Sequence, residues 1–312
     1  MTDLMPILGA GPPAGYAGEL AAVATACCWT VSALAFTEAA RRMGSLSLNI
    51  VRLAMALVFF AVFGWAARGL ALPLDATGHN WFWLSLSGLV GFTLGDLCLF
   101  RALVLIGPRL SLLMLSLVPM LAAVLGWAVL GEGLSALGLV GMVLTVAGVA
   151  WVILERKPPA SAPGGRAATT GVLLALGAAA GQAVGLVLSK IGMGDYDAFA
   201  ATQIRTMAGL AGFLALLLVL RAWPRLAAGV RSRAGMAFAA LGACFGPFLG
   251  VSFSLVAVKY AYVGIAATIM SIVPVLIIPL VILIYRERVS ARAVVGAVLA
   301  VAGVVLLFLW RG

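Results

Sequence analysis

The residues best suited to chemistry in this sequence are the charged side chains that fall inside long apolar segments. Asp96 lies near the middle of one such segment, at the end of the run Gly-Phe-Thr-Leu-Gly-Asp. A charged side chain at the centre of a bilayer helix costs about 3 kcal/mol on insertion scales. Two interpretations of Asp96 stay open: a carboxylate that binds a proton or a substrate amine in a central cavity, or a structural residue paired with an arginine or with backbone donors.

Two arginines in other apolar segments are the candidate partners of Asp96. Arg52 follows Asn49 by three positions, and Arg205 follows Thr202 by three positions. This spacing places both polar groups of each pair on one helical face. Each arginine is either an anchor for a substrate carboxylate or phosphate, or a structural residue that snorkels to the membrane surface or clamps a neighbouring helix end.

Further polar and aromatic side chains lie where they could face a cavity. Trp29 and its counterpart Gln182 are large enough to project from their segments, although such residues also face lipid or core. Ser116 and Ser271 each precede a proline by three residues, where the hydroxyl meets either a carbonyl freed by the proline or a substrate. Lys259 is either an interfacial lysine beside an aromatic belt or a charge at the cavity mouth.

Arg101 follows Asp96 by five residues, about 140° around a helix, so the two side chains cannot share a face. It stays a candidate for contact with a substrate. The candidate substrate-binding residues are Trp29, Asn49, Arg52, Asp96, Arg101, Ser116, Gln182, Arg205, Lys259 and Ser271.

The sequence offers no constellation for hydrolytic or metal-dependent chemistry. Its one histidine, His79, lies in a polar loop, and its four cysteines fall inside apolar segments without the paired spacing of a metal site. We therefore predict no catalytic residues, no metal and no cofactor, and we expect that the protein is not an enzyme.

The segments that hold these residues are typical of membrane spans. The chain is 64% apolar and only 10% charged, whereas a soluble domain carries roughly 25% charged residues. Apolar windows of about 20 residues, the length that crosses a bilayer, recur almost end to end. The net charge of +10 comes from basic residues in short loops, so it reflects orientation in the bilayer rather than binding of nucleic acid.

We predict an all-α polytopic membrane protein with ten transmembrane helices in two repeats. Residues 109–154 recur as residues 264–309, and 155 positions separate Ser116 from Ser271 and Glu132 from Glu287. Five helices per repeat is an odd number, so the second repeat must be inverted relative to the first. The first five-helix repeat covers residues 18–155, a linker covers 156–168, and the second repeat covers 169–312.

Some details of this organisation are specific enough to be tested. The third helix is expected to end near Leu105, and the fourth is expected to begin near Pro108 and to be broken by Pro119. Glu132 lies in a turn just before the fifth helix, where a carboxylate stabilises a helix N-terminus. Thirteen lysines and arginines lie in loops on one side of the spans and four on the other, which predicts that both termini lie outside the cytoplasm.

The order of these motifs resembles that of EamA-type members of the drug/metabolite transporter superfamily. The resemblance is carried by Arg52 early in the second helix, by Ala-Val-Lys-Tyr at residues 257–260, and by the duplicated run from Ser116 to Pro119 with Gly131-Glu132. It covers about residues 18–310. It implies a carrier with two inverted five-helix repeats that moves small metabolites or drugs, often outward, and commonly with both termini in the cytoplasm.

We therefore expect a secondary transporter, an exporter that moves a small polar or amphiphilic metabolite or drug by alternating access. Its partners would be a small-molecule substrate, a coupled proton and the lipid bilayer of the cell inner (plasma) membrane, with no nucleic acid. The hypothesis assigns a proton or a substrate amine to Asp96 and the anion of the substrate to an arginine. The alternatives are a gradient-independent facilitator or channel and, less favoured, an intramembrane enzyme that acts on lipid-linked substrates.

Overall fold

The computed structural model of the protein describes residues 16–133, 136–155, 166–273, 275–276, 279 and 290–309. Within these ranges every element of secondary structure is a helix, which confirms the predicted all-α class. The α-helices are α1 (Ala17–Met43), α2 (Ser45–Arg68), α3 (Gly78–Gly88), α4 (Asp96–Leu115), α5 (Val118–Leu130), α6 (Ala136–Glu155), α7 (Arg166–Met193), α8 (Ala198–Val219), α9 (Trp223–Val230), α10 (Arg233–Ala243), α11 (Val251–Tyr260), α12 (Val263–Met270) and α13 (Ala291–Leu309). A π-helical segment, π1 (Leu89–Gly95), joins α3 to α4, and a second, π2 (Cys244–Gly250), joins α10 to α11.

Six helical stretches are long and apolar enough to cross a membrane. They are Ala17–Met43, Ser45–Arg68, Gly78–Leu99, Ala168–Met193, Ala198–Val219 and Arg233–Tyr260. Shorter apolar helices cover Val118–Leu130, Ala136–Val152 and Val294–Leu306. Helices suit a bilayer because they satisfy their own backbone hydrogen bonds where no water is present. The protein is therefore a multi-pass membrane protein, while the total of ten spans stays a prediction.

The duplication predicted from the sequence returns in the order of the elements. The helices α3, π1 and α4 begin at residues 78, 89 and 96, and α10, π2 and α11 begin at residues 233, 244 and 251, each 155 positions later. Both π segments are seven residues long. Since π-helices are rare in proteins, their return at matched positions shows that the two halves share their local backbone structure.

The break predicted at Pro119 is also found. A turn at residues 116–117 separates α4 from α5, and the matching turn at residues 271–272 follows α12. Pro119 lies in the first turn of α5, where a residue without an N–H costs no helical hydrogen bond. The equivalent Pro274 and Glu287 lie outside the described residues.

The two halves differ at the junction predicted between the third and fourth helices. In the second half the chain leaves the helix at Ala261, whose φ of −133° and ψ of 165° separate α11 from α12. In the first half the predicted break from Leu105 to Pro108 is wrong, because α4 continues to Leu115. A proline removes one helical hydrogen bond and kinks a helix without having to end it.

The helices α6 and α13 pack against each other through matched glycines. A Cβ atom on Gly148 would lie 2.6 Å from the carbonyl oxygen of Gly296, and one on Gly303 would lie 2.6 Å from that of Gly141. Such close backbone contact requires small residues. Gly148, the later glycine of α6, contacts Gly296, the earlier glycine of α13, whereas Gly141 contacts Gly303. The two helices therefore run antiparallel.

A turn at the end of α5 directs the carboxylate of Glu132 toward the second half of the chain. Gly131 adopts a left-handed conformation with φ +67° and ends α5, and the N–H of Glu132 then bonds back to the carbonyl of Gly126 at 3.1 Å. A Cβ on Gly126 would lie 2.7 Å from Oε2 of Glu132. The glycine at residue 126 therefore leaves the space in which the Glu132 carboxylate is buried.

Glu132 joins the two halves at this end of the bundle. Its Oε1 accepts a hydrogen bond from Nζ of Lys190 at 2.6 Å, and its Oε2 accepts one from the N–H of Val263 at 2.7 Å. Lys190 also donates to the carbonyl of Ala261 at 2.9 Å. The predicted stabilisation of a helix N-terminus is thus present, but the helix is α12 of the second half and not the helix that follows Glu132.

We expect Glu132→Gln to lower the free energy of unfolding by about 1–3 kcal/mol, because it removes the charge that pairs with Lys190 and faces the positive end of a helix. Chemical denaturation of the detergent-purified protein measures this change. The matched control is Glu38→Gln, which removes a carboxylate paired with Arg41 and Arg42 on an exposed surface and should cost about 0.5 kcal/mol or less. Equal losses in the two variants would contradict a special role for Glu132.

Candidate functional site

A cavity of about 410 Å³ lies between the two halves of the bundle. Residues from both halves form its wall. They are Trp29, Ser32, Ala33, Phe36, Arg52, Leu53, Gly91, Phe92, Asp96, Leu115, Ser116, Val118, Val149, Gln182, Leu186, Arg205, Gly246, Pro247, Val251, Ser254, Ala267, Met270, Ser271 and Val273. This volume falls within the range of small-molecule sites, about 300–1,000 Å³, and the wall is mostly apolar with a few polar groups.

Seven of the ten candidate residues predicted from the sequence line this cavity. They are Trp29, Arg52, Asp96, Ser116, Gln182, Arg205 and Ser271. They come from spans far apart in the chain and from both repeats, so only the packing of the bundle brings them together.

The other three candidates lie away from the cavity wall. Asn49 is buried in α2, where its amide donates to the carbonyl of Ser45 at 2.9 Å. Arg101 is exposed on α4, as its rotation away from Asp96 implies. Lys259 donates to the carbonyl of Asp195 at 2.9 Å, beyond the end of α7.

Asp96 is paired with Arg52 across the interface between α4 and α2. Nη2 of Arg52 donates a hydrogen bond to Oδ2 of Asp96. Only 16% of the arginine side chain and 14% of the aspartate side chain are exposed. The guanidinium also lies over the ring of Phe36, 5.4 Å from its centroid. Of the two candidate arginines, Arg52 is thus the partner of Asp96, and the two charges cancel.

Arg205 lies in the cavity wall without such a partner. It is 5% exposed, and its Nε atom is buried with no hydrogen-bond acceptor in the described part of the chain. Its guanidinium lies over the ring of Phe92, 5.2 Å from the centroid. Among the described residues that line the cavity, two arginines and one aspartate leave one positive charge in excess.

The two π segments face the cavity at equivalent positions. π1 contributes Gly91 and Phe92, and the matching residues of π2 are Gly246 and Pro247. The residue directly after each segment also lines the cavity, but it is Asp96 in one half and a valine in the other. The backbone frame is therefore duplicated around the cavity while its charge is not.

The indole of Trp29 lies directly against the backbone of π2. A Cβ on Gly250 would lie 2.6 Å from Cδ1 and 2.7 Å from Nε1 of Trp29. Any larger residue at position 250 would push the indole out of its place. The glycine of this π segment thus positions an aromatic wall of the cavity.

Several residues of the wall were missed in the sequence because neutral and aromatic side chains are common in membrane spans. Ser32 follows Trp29 by three positions, and Phe92 precedes Asp96 by four, so a search of the same helical faces would have found both. Phe36 is found only through its contact with Arg52 from another helix.

Comparisons with known proteins agree with this architecture. The profile of the EamA-like transporter family matches residues 16–154 and again residues 169–309. No curated protein matches the chain. One solved structure, described as a crystal structure of a protein, is similar with a TM-score of 0.75 and 21% sequence identity, and the match covers 94% of this chain and 96% of that chain. At this identity the likeness concerns the fold alone.

We expect the variants Asp96→Asn and Arg52→Gln each to lower the free energy of unfolding by about 2–4 kcal/mol, because each leaves one partner of a largely buried pair without compensation. The double variant should be less destabilised than the sum of the two by about 1–3 kcal/mol. Denaturation of all four proteins in detergent gives this double-mutant cycle. The same cycle on Glu38 and Arg41 is the exposed control, and strictly additive losses at Arg52 and Asp96 would show that the pair is not coupled.

Proposed function

Because the chain belongs to the EamA-like transporter family, we propose that it is a secondary transporter that binds a small polar or amphiphilic molecule in its central cavity. The family is part of the drug/metabolite transporter superfamily, whose members are transporters and not enzymes. The observation that carries the proposal is the cavity itself, which lies between the two repeats and contains the few polar groups of an otherwise apolar wall.

The two repeats are inverted relative to each other in this proposal. Support comes from α6 and α13, which occupy equivalent positions in the two halves and run antiparallel at their glycine contacts. Inverted repeats around a site near the middle of the bilayer are typical of secondary transporters, in which one half rocks against the other. The substrate site would then open to each side of the membrane in turn.

The contact around Glu132 is suited to such a motion. It joins the first half to Lys190 and Val263 of the second half at one end of the bundle. Opening the cavity at this end requires these hydrogen bonds to break. A net cost of about 1–3 kcal/mol for breaking these contacts is small enough for a closure that has to be reversible.

Asp96 is proposed as the site of proton coupling. It is a carboxylate in the wall of the cavity, and its pairing with Arg52 is the interaction that protonation would weaken. The matching residue in the other repeat is Val251, so there is a single titratable position and not a symmetric pair. The seven cavity-lining candidates then form the substrate site, with Ser116 and Ser271 at the two matched turns.

The proposed direction is export across the cell inner (plasma) membrane. The lysines and arginines of the loops support an orientation with both termini outside, because basic loops stay in the cytoplasm. Arg109, one of the thirteen counted in the sequence, lies inside α4, and the other twelve still outnumber the four on the opposite side. Outward transport is the direction that the resemblance to EamA-type proteins implies. A facilitator that needs no gradient is the competing function and is distinguished by the same experiment.

In proteoliposomes, the wild-type protein should accumulate its substrate when a pH gradient is imposed, and Asp96→Asn should lose this accumulation while still equilibrating the substrate. A gradient of one pH unit can drive about tenfold accumulation per coupled proton, because about 1.4 kcal/mol is a factor of ten. Candidate substrates come from a thermal-shift screen of the purified protein against metabolites. Glu38→Gln is the control for a carboxylate lost outside the cavity. Accumulation by Asp96→Asn with unchanged pH dependence would exclude the coupling role, and a wild type that only equilibrates its substrate would indicate a facilitator.

A further inference from the structure

We infer that Arg205 forms an anion-binding subsite and that the substrate of the cavity is a small organic anion with an apolar body and one net negative charge. This inference rests on the proposed function, because it assigns a ligand class to the same cavity. It starts from an imbalance of charge in the wall, where Asp96 compensates only one of two arginines.

Arg205 is unusual because a buried guanidinium is costly without a compensating charge. The residue is 5% exposed and sits in α8, a helix apolar enough to span the membrane. Within the described ranges Arg205 has no ion pair. The Nε atoms of Arg205 and Arg52 both lack an acceptor, so the missing ion pair is what distinguishes Arg205. The ring of Phe92 stabilises a cation only weakly compared with a carboxylate. The cavity wall therefore contains a buried guanidinium that no carboxylate of the described residues neutralises.

Arg52 is not equivalent to Arg205 as an anion site. Its guanidinium already donates to Asp96 and stacks over Phe36. A second anion near this pair would have to displace the Asp96 carboxylate or be repelled by it. The sequence leaves both arginines as candidates for the anion of the substrate, and the geometry selects Arg205.

Arg205 lies beside the backbone of π1 in the cavity wall. A Cβ on Gly91 would lie 3.6 Å from Nη2 of Arg205, which is ordinary van der Waals contact. Gly91 and Arg205 both line the cavity, so the guanidinium lies at its wall beside the π1 backbone. A planar guanidinium binds a carboxylate or a similar oxyanion through two parallel hydrogen bonds.

The other side chains of the wall indicate which kind of molecule could carry the anionic group. Apart from Arg205 and from the pair of Arg52 and Asp96, whose charges cancel, the polar side chains of the wall are neutral, and they include the amide of Gln182. Trp29, Leu186 and Met270 form apolar surfaces. An anion with a compact aromatic or aliphatic body matches this wall, whereas a cation would face a net positive charge and a dianion would leave one charge unpaired.

The test uses phenylacetate, phenylacetamide and phenethylamine, three probes of similar shape and different charge. Binding to the purified full-length protein is measured by isothermal titration in detergent. We expect phenylacetate to bind about 10- to 100-fold more tightly than either other probe, the difference that a charged hydrogen bond makes. Equal affinity for the three probes, or preference for the amine, would overturn the inference.

Variants of the arginine separate an anion site from a structural role. Arg205→Gln should remove the preference for phenylacetate, and Arg205→Lys should retain part of it, because a lysine keeps the charge without the planar fork. Arg225→Gln, which removes an exposed arginine on α9, should leave the preference unchanged. If Arg205→Gln bound phenylacetate as tightly as the wild type, the anion would bind elsewhere.

The stability of the ligand-free protein is a second measurement that does not depend on binding. Because a buried cation without a partner opposes folding, Arg205→Met should raise the melting temperature by a few degrees. A melting temperature lowered by several degrees would show that Arg205 is structural and would overturn the inference.

Transport assays distinguish failure of the subsite from failure of the proposed function. Charge-selective binding that is lost in Arg205→Gln, combined with no flux of any metabolite found in the thermal-shift screen, would support the subsite and contradict the transporter. Flux of a neutral or cationic metabolite that is insensitive to Arg205→Gln would support the transporter and contradict the subsite.

Discussion

Compensation of charge inside an apolar bundle is the constraint on which the rest of this structure depends. Where the surroundings cannot solvate an ion, each charged side chain needs a partner within the protein. Arg52 and Asp96 meet this requirement in the cavity wall, and Glu132 and Lys190 meet it at one end of the bundle. Arg205 meets it only in part, through an aromatic ring. The three cases therefore differ in what compensates the charge: a carboxylate in the cavity wall, an ion pair that joins the repeats, and the face of an aromatic ring.

The backbone around the cavity is duplicated, but the side chains that face the cavity differ between the two halves. The π segments π1 and π2 begin at matched positions and both contribute to the cavity, so the two halves present equivalent places for side chains. Asp96 occupies one of these places and Val251 the other. Duplication copies the main-chain path because packing between helices constrains it. Side chains that face the cavity can differ between the two repeats because fewer packed neighbours restrict their size and polarity.

Glycines in this chain have at least three roles that look identical in the sequence. Gly148 allows the backbones of α6 and α13 to touch, and Gly250 makes room for the indole of Trp29. Gly131 has a further role, since its left-handed conformation turns Glu132 back toward the bundle. Each role depends on which neighbour lies beside the missing side chain, and that neighbour is distant in the chain.

The sequence by itself determined the features that depend on local composition and on comparison of the chain with itself. These are the all-α membrane class, the duplication, the break at Pro119 and the exceptional position of Asp96. Only the tertiary structure decided that Asp96 pairs with Arg52 and not with Arg205, that Glu132 caps a helix of the other repeat, and that Lys259 lies outside the cavity wall. The physical reason is that charge pairing and helix capping act over a few ångströms between residues far apart in the chain, so helical spacing shows which face a residue occupies but not what packs against that face.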